Sequence, residues 1–211
     1  MTKHPINLSV QCLWALILIG CLQAFPANQR IFNGTDASID EFPWMGNLHL
    51  NFLNYIRREC GAVVISEIFL LSSASCVYNI DTLASYFNIR AGVDRPNDDN
   101  VDRWPVSQII KHPDYKNINY LNDIALIRIN PAFNFSSQKI QPIKMSNRSS
   151  IANANLTMLG WGGTNPADPL ALTDKLQQTR VQENVECTLN LTADPLKQFC
   201  APGKFRLTNF S

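Results

Sequence analysis

The sequence has no excess of charge of either sign. Its 211 residues include 18 lysines and arginines against 17 aspartates and glutamates, so the formal net charge at neutral pH is only +1. It contains no cluster of basic residues of the kind that binds nucleic acid, and no cationic amphipathic segment suited to a membrane surface. We therefore expect no nucleic-acid partner and no attachment to membrane surfaces by charge.

Histidines and closely spaced cysteines, the usual ligands of structural zinc, are also scarce. Only three histidines occur, they do not cluster, and no two cysteines have the CxxC spacing, which argues against a zinc site. The acidic stretch DRPNDDNVD at residues 94–102 leaves a calcium loop open. Its carboxylate spacing fits no standard calcium loop, so we interpret it as a solvated loop. We expect no metal and no cofactor.

Long hydrophobic runs are absent except for one near the N-terminus, LWALILIGCL at residues 13–22. This run is shorter than the roughly 20 apolar residues needed to cross a bilayer. Lys3 and His4 precede it and small residues around Ala24 follow, which is the pattern of a secretory signal peptide. We predict a signal peptide of residues 1–24 and a secreted, extracellular mature chain without a membrane span.

The cysteines fit this compartment. Two of the six lie in the predicted signal peptide, and the remaining four are Cys60, Cys76, Cys187 and Cys200. An even number of cysteines in an oxidising compartment predicts two disulfides, and four cysteines allow three connectivities. We favour the local pairing of Cys60 with Cys76 and of Cys187 with Cys200, which closes two short loops.

Secretion also gives meaning to the Asn-x-Ser/Thr sequons. Chance sequons are common, so a single one is weak evidence, whereas several together predict a glycoprotein with these positions on its surface. One sequon starts at Asn209, at the extreme C-terminus of the sequence. The five that we predict to be glycosylated start at Asn33, Asn134, Asn147, Asn155 and Asn190.

From residue 31 onward the chain consists of short apolar runs separated by turn-forming residues. WMGNLHLNF alternates loosely, CGAVVI and FLLSS are short and apolar, and VSQIIKH and IALIRI are rich in β-branched residues. The intervening RPNDDN, NPAF and NPADP favour turns. Many short strands of this kind predict an all-β barrel or sandwich. Only the stretch around residues 170–178 has moderate helical character, and it is short and ambiguous.

Five stretches follow one another in an order that is typical of a known family. They are R-IFNG at residues 30–34, EFPWM at 41–45, CGAVVIS with LLSSASC at 60–76, HPDY with NDIALIRI at 112–129, and LGWGGT at 159–164. In this order they resemble the trypsin- and chymotrypsin-like serine proteases over about residues 30–202. The resemblance implies an all-β fold of two antiparallel β-barrels of the chymotrypsin-like type, with the active site between them.

The resemblance also implies how the chain is divided. A short propeptide of residues 25–30 would end at a cleavage site between Arg30 and Ile31, and the protease domain would cover residues 31–211. The first barrel would run from about residue 31 to 135, and an incomplete second barrel from about 136 to 202, before a divergent tail at 203–211. The family's Gly-Asp-Ser-Gly-Gly stretch, which carries the nucleophile, does not occur, so we expect a C-terminally truncated member.

The chemistry of that family needs a histidine, an aspartate and a serine in this chain order. By resemblance, Asp123 in NDIAL matches the aspartate, whereas Ser75 occupies the position of the histidine, directly before Cys76. A serine hydroxyl does not accept a proton near neutral pH as an imidazole does. His49 and His112 do not match the catalytic position, so we expect the catalytic base to be absent.

We therefore interpret the sequence as a secreted, non-catalytic serine protease homologue that acts by binding, as a cofactor, decoy or regulator in extracellular proteolysis. Its expected partners are proteins: proteases, inhibitors or their substrates. Two alternatives stay open. One is an active serine endopeptidase, on the basis of the fold alone. The other is a non-functional product of an unspliced transcript, because the codons of Gly203, Lys204 and Phe205 can contain the splice-donor sequence GTAAGT, in which case a longer product exists.

Overall fold

The computed structural model describes residues 34–52, 56–146, 155–163 and 173–182. In these ranges no helix is long and apolar enough to cross a membrane. The two 3₁₀ helices found there are Ser75–Val77 and Asp81–Tyr86. The strands are β1 (Thr35–Asp36), β2 (Met45–Phe52), β3 (Ile56–Val64), β4 (Phe69–Ser72), β5 (Phe87–Ala91), β6 (Trp104–Lys111), β7 (Ala125–Ile129), β8 (Asn155–Gly160) and β9 (Gln177–Gln182).

Six of these strands close into an antiparallel barrel in the order β2-β3-β4-β7-β6-β5. β2 pairs with β3 along its whole length, from Met45 opposite Val63 to Phe52 opposite Ile56, and it also pairs with β5. Closure leaves this barrel without an open strand edge, which protects it from edge-to-edge association. The barrel strands lie within residues 45–129, inside the range predicted for the first barrel.

Apolar side chains that alternate along the strands fill the barrel. In β7, for example, Ala125, Ile127 and Ile129 are buried while Arg128 is exposed. This period of two sends every second side chain to the core, as strand geometry requires. The buried cluster consists of Leu48, Leu50, Ala62, Val64, Leu70, Ala74, Val77, Phe87, Ile89, Ala91, Val106, Ala125, Ile127, Ile129, Phe133 and Ile140.

The strands β1, β9 and β8 form a second antiparallel sheet, in that order. Thr35 and Asp36 of β1 therefore pair with β9, although they precede the barrel strands in the sequence. A second hydrophobic cluster joins this sheet to the start of β2, and its buried members are Ala37, Ile39, Met45, Trp161 and Leu176. A closed barrel with a separate, partial sheet confirms the predicted chymotrypsin-like fold class.

The stretch near residue 178, ambiguous in the sequence, is a strand at its C-terminal end. No residue between 173 and 178 is helical, and Gln177 and Gln178 begin β9. β9 lies in the middle of its sheet, with β1 on one side and β8 on the other. Pairing on both sides outweighs a weak local preference for helix, because strand formation depends on neighbouring strands more than on intrinsic propensity.

Asp94 connects the barrel, the N-terminal segment and the second sheet. Its side-chain Oδ1 accepts a 2.6 Å hydrogen bond from the amide of Ile39. Its backbone carbonyl accepts hydrogen bonds from the amide of Leu176 at 2.9 Å and from the indole Nε1 of Trp161 at 2.8 Å. One residue thus holds three segments that are distant in the sequence, and we call these four residues the Asp94 junction.

Asp36 gives the second sheet a contact that depends on pH. Lys175 Nζ donates a hydrogen bond to its Oδ2 at 2.7 Å, and Gln177 Nε2 donates to its Oδ1 at 2.8 Å. The bond from Lys175, followed by that from Gln177, lowers the pKa of the Asp36 carboxyl below its usual 3.8. Such a carboxylate stabilises the fold above its unfolded pKa, and this contribution is lost as the pH falls through the lower folded pKa.

We expect the Asp36→Asn variant to be slightly less stable than the wild type at pH 7, and this difference to disappear in acid below the usual carboxyl pKa of 3.8. The effect is small because the Asp36 side chain is 63% exposed and its ion pair is screened by water. Thermal denaturation of both proteins across this pH range measures it. Lys175→Met should lose the same stability at pH 7, and a difference that persists in acid would contradict the assignment.

Candidate functional site

The register of β4 and β7 brings the two predicted site residues together. These strands are antiparallel, with Ser72 at the end of β4 opposite Ala125 at the start of β7. Ser75 follows Ser72 closely and Asp123 closely precedes Ala125, so both emerge at the same end of this strand pair. Ser75 begins the short 3₁₀ helix, and its side chain meets that of Asp123.

Two hydrogen bonds join Ser75 to the Asp123 carboxylate. The Ser75 amide donates to Oδ1 at 2.7 Å, and the Ser75 hydroxyl donates to Oδ2 at 2.9 Å. The Ser75 Oγ also lies 3.1 Å from the Ser73 Oγ. Because the Ser75 hydroxyl has a single proton, the charged carboxylate is the stronger of these two acceptors. The residue at the predicted base position therefore engages both carboxylate oxygens of Asp123.

A disulfide fixes the helix that carries Ser75. Cys76 is bonded to Cys60 in β3, so the residue next to Ser75 is covalently tied to the barrel wall. This is the local pairing predicted for Cys60 and Cys76. The predicted partners Cys187 and Cys200 lie outside the described residues.

The Asp123 carboxylate also affects the ionisation of Tyr115. Burial of its ring, and then the nearby Asp123 carboxylate, raise the pKa of Tyr115 to about 12. Its phenol therefore stays protonated at neutral pH, where it donates a hydrogen bond to Asn117 Oδ1 at 3.1 Å. A protonated phenol is unsuited to serve as a general base.

The two histidines in the described ranges have other surroundings. His49 is buried in β2 with only 2% of its side chain exposed, and its Nδ1 lies 3.5 Å from Glu59 Oε1. The His112 Nδ1 accepts a 3.1 Å hydrogen bond from the Asp114 amide in the turn that follows β6. Among the described residues, no hydrogen bond or ion pair joins either histidine to Asp123.

The described residues contain no group of three or more histidine, cysteine, aspartate and glutamate side chains that could hold a metal ion. In the acidic stretch at residues 94–102, Asp94 is engaged by Ile39. The other acidic residues of this stretch, Asp98, Asp99 and Asp102, are exposed.

Two of the predicted glycosylation sites lie in the described ranges. Asn134 and Asn155 are both exposed, Asn155 as the first residue of β8. The Asn134 Oδ1 accepts a 2.9 Å hydrogen bond from the Ser136 amide. Other predicted features fall outside the described residues: Asn33, Asn147, Asn190, the Arg30–Ile31 bond, the signal peptide and the tail at 203–211.

Sequence reasoning missed two neighbours of the site. The hydroxyl of Ser73 approaches that of Ser75, and Tyr115 is close enough for the Asp123 carboxylate to shift its pKa. Neither residue stands out in the sequence, because one is a serine among several and the other belongs to a turn. The HPDY motif contains Tyr115, but only the pairing of the strands reveals that its ring comes near Asp123.

Comparison with known proteins assigns this arrangement to a family. The model of the family described as Trypsin matches residues 31–204. The chain belongs to the trypsin family. The resemblance seen in the ordered sequence motifs is thereby confirmed.

Two curated relatives illustrate the extent of the match. Trypsin of Phaedon cochleariae is 30% identical over 146 residues, which are 65% of this chain and 52% of that protein. Trypsin-1 of Astacus astacus is 29% identical over 171 residues, 79% of this chain and 71% of that protein. The chain thus spans about half the length of the first relative and less than three quarters of the second.

A solved structure shows the same trypsin-family fold. The crystal structure of scabies mite inactivated protease paralogue S-D1 superposes with a TM-score of 0.71. The superposition covers 82% of this chain and 75% of that one, at 18% sequence identity.

Replacing Asp123 by alanine is expected to lower the free energy of unfolding by about 1–3 kcal/mol, because the half-buried amide and hydroxyl of Ser75 both lose their acceptor. Chemical denaturation measures the loss. Ser75→Ala is the matched control, since it removes the hydroxyl and keeps the amide bond, and should cost about 1 kcal/mol. An Asp123→Ala variant as stable as the wild type would show that the pair contributes nothing to the fold.

Proposed function

We propose that this trypsin-family member does not hydrolyse peptides and acts by binding other proteins. The observation that carries the proposal is the 2.9 Å hydrogen bond from the Ser75 hydroxyl to Asp123 Oδ2. In the reaction of the family, an imidazole oriented by the aspartate takes the proton of the nucleophile and later delivers it to the leaving amine. With Ser75 in the place of the imidazole, the carboxylate has no base to orient.

The surroundings of Ser75 support the proposal. A hydroxyl held by a carboxylate donates a hydrogen bond to that carboxylate and is not a general base near neutral pH. Tyr115, which is raised to a pKa of about 12, stays protonated there. His49 lies beside Glu59 and His112 accepts a hydrogen bond in its own turn.

Three structural features support a binding role. The barrel is closed, the Cys60–Cys76 disulfide fixes the helix of Ser75, and the site residues are held by hydrogen bonds. Such a preorganised surface needs no catalytic base to recognise a protein partner. The partners that we propose are proteases, their inhibitors or their substrates, with the chain as cofactor, decoy or regulator. The similar scabies mite protein, an inactivated protease paralogue, has the same fold.

We further propose that the protein is secreted and glycosylated. The apolar run at residues 13–22 has the pattern of a signal peptide, and the sequon residues Asn134 and Asn155 are exposed.

Family membership itself favours a second candidate function, a trypsin-like serine endopeptidase, because both relatives compared above are trypsins.

Labelling with a fluorophosphonate probe separates the two candidates. The probe reacts with the activated serine of a working serine protease, so an active trypsin is the positive control and the denatured protein gives the background. We expect the purified native protein to be labelled no more than the background. Stoichiometric labelling would establish the endopeptidase and reject the non-catalytic proposal.

The binding role has its own test. An immobilised protein inhibitor of trypsin-like proteases serves as the probe, and surface plasmon resonance measures the interaction. We expect saturable binding of the unlabelled native protein. Absence of binding to this inhibitor, to active trypsin and to a protein substrate of trypsin would leave the chain without any of the proposed partner classes.

A further inference from the structure

A buried guanidinium lies beneath the acidic loop at residues 94–101. Arg90 lies in β5 between the core residues Ile89 and Ala91, so its side chain leaves the strand on the face opposite the barrel core. Only 7% of Arg90 is exposed. Arginine is rarely buried to this extent unless its charge is paired or hydrogen-bonded.

The guanidinium of Arg90 binds two oxygens of the loop. Its Nη1 donates to the carbonyl oxygen of Pro96 and to Oδ1 of Asn97, both at 2.8 Å. Pro96 is itself buried, and Asn97 Nδ2 lies 3.4 Å from Glu59 Oε2 in β3. A backbone carbonyl and a side-chain amide oxygen are donor types that calcium takes in protein loops. Here both oxygens accept hydrogen bonds from the same protein nitrogen, Nη1 of Arg90.

We propose that the Arg90 guanidinium is the resident cation of this loop, so that a side chain and not a bound calcium ion keeps the loop ordered. A guanidinium keeps its charge at every pH at which proteins are folded, and its planar fork suits oxygens at fixed positions. Unlike a metal ion, it does not dissociate. The loop therefore keeps its conformation whatever the concentration of calcium in its surroundings.

The order of the loop matters to the rest of the fold through the Asp94 junction. Asp94 precedes Pro96 by two residues and binds Ile39, Leu176 and Trp161. Arg90 thus anchors the loop just after the point at which the second sheet is joined to the barrel. A loop released from Arg90 loses the support that holds Asp94 in place.

Amide hydrogen exchange of the full-length native protein, followed by mass spectrometry, tests the anchoring, because the amides of Asp98 and Val101 donate hydrogen bonds within the loop. Arg90→Met removes the charge and keeps the length of the side chain. Arg103→Met, at an exposed arginine just after the loop, is the matched control. In EDTA we expect the loop amides of Asp98 and Val101 to exchange about tenfold faster or more in Arg90→Met than in the wild type, because local opening limits their exchange. Arg103→Met should match the wild type.

A calcium comparison on the wild type alone completes the test and requires no variant to fold. Exchange of the loop amides is measured in EDTA and in about 5 mM CaCl₂, above the roughly 10⁻⁴–10⁻³ M dissociation constants of extracellular calcium modules. Wild-type rates that agree within about twofold support the proposal. Slowing of wild-type exchange by calcium, or an Arg90→Met variant that is folded and whose loop amides exchange no faster than those of the wild type, would overturn it. Neither readout depends on enzymatic activity of the protein.

Discussion

With an arginyl or aromatic amide substrate, the purified protein is expected to turn over about 10⁶-fold more slowly than an active trypsin, which is the loss that follows removal of the histidine from a comparable triad. The physical reason is that the Ser75 hydroxyl takes the hydrogen bond to Asp123 that the Nδ1–H of an imidazole makes in the family, and supplies no second nitrogen to accept the proton of a nucleophile. Release of a chromogenic amine over several hours, against a blank without protein, measures the rate.

The Ser75→His variant of the same protein is the matched test of that reason. It places an imidazole directly before Cys76 and beside Asp123, with the disulfide and the strand register unchanged. A rise in hydrolysis or in fluorophosphonate labelling would show that the missing base limits the wild type and that the chain supplies a nucleophile. An unchanged rate would show that the base is not the only catalytic group that is missing. A wild-type turnover within about tenfold of trypsin would instead show that another group serves as the base, contrary to the proposal.

Replacing Leu70 by alanine is expected to lower the free energy of unfolding by about 2–5 kcal/mol, the usual cost of a Leu-to-Ala cavity in a packed core. Leu70 is fully buried in β4, opposite Val64 of β3 and Ile127 of β7. Its Cδ2 also lies 3.2 Å from the position that a Cβ of Gly46 would occupy, so β2 packs against it as well. Residues of three other strands, β2, β3 and β7, therefore lose contacts at once. The barrel has little freedom to collapse into the cavity left by the leucine side chain.

Thermal denaturation followed by circular dichroism measures this loss. For a chain of this size, about 2–4 °C of melting temperature corresponds to each kcal/mol, so we expect a decrease of roughly 4–20 °C. Ile118→Ala is the control, because Ile118 is 90% exposed and its truncation should change the stability by less than about 0.5 kcal/mol. Equal melting temperatures for Leu70→Ala and Ile118→Ala would mean that Leu70 is not part of a cooperative core.

Most barrel strands could be predicted from the sequence because they carry a local signal. The apolar runs predicted as strands correspond to β2, β3, β4, β6 and β7. The predicted runs omit β5, although Phe87, Ile89 and Ala91 alternate there with polar residues. β1 has only two residues, and β9 begins within the stretch of ambiguous helical character at residues 170–178. Both exist because they pair with each other across most of the chain, which no local pattern reveals.

The residues of the site could be predicted from the sequence, but the hydrogen bonds between them could not. The ordered motifs single out Asp123 and Ser75, since one lies in NDIAL and the other directly precedes a cysteine. That the Ser75 hydroxyl binds the carboxylate follows only from the register of β4 and β7. The buried Arg90 has no sequence signal either, because burial of a charge depends on the loop that folds over it.

The pairing of β1 with β9 has a consequence for how the chain folds during its synthesis. All barrel strands are complete once residue 129 has been made, whereas Asp36 must wait for Gln177, its partner 141 positions later. At 5–20 residues per second, the stretch between β7 and β9 takes roughly 2–10 s to synthesise. For that time Ala37 and Ile39 lack Leu176, their partner in the second cluster. A closed barrel with an unpaired, partly apolar leading segment is therefore the expected intermediate in the synthesis of this chain.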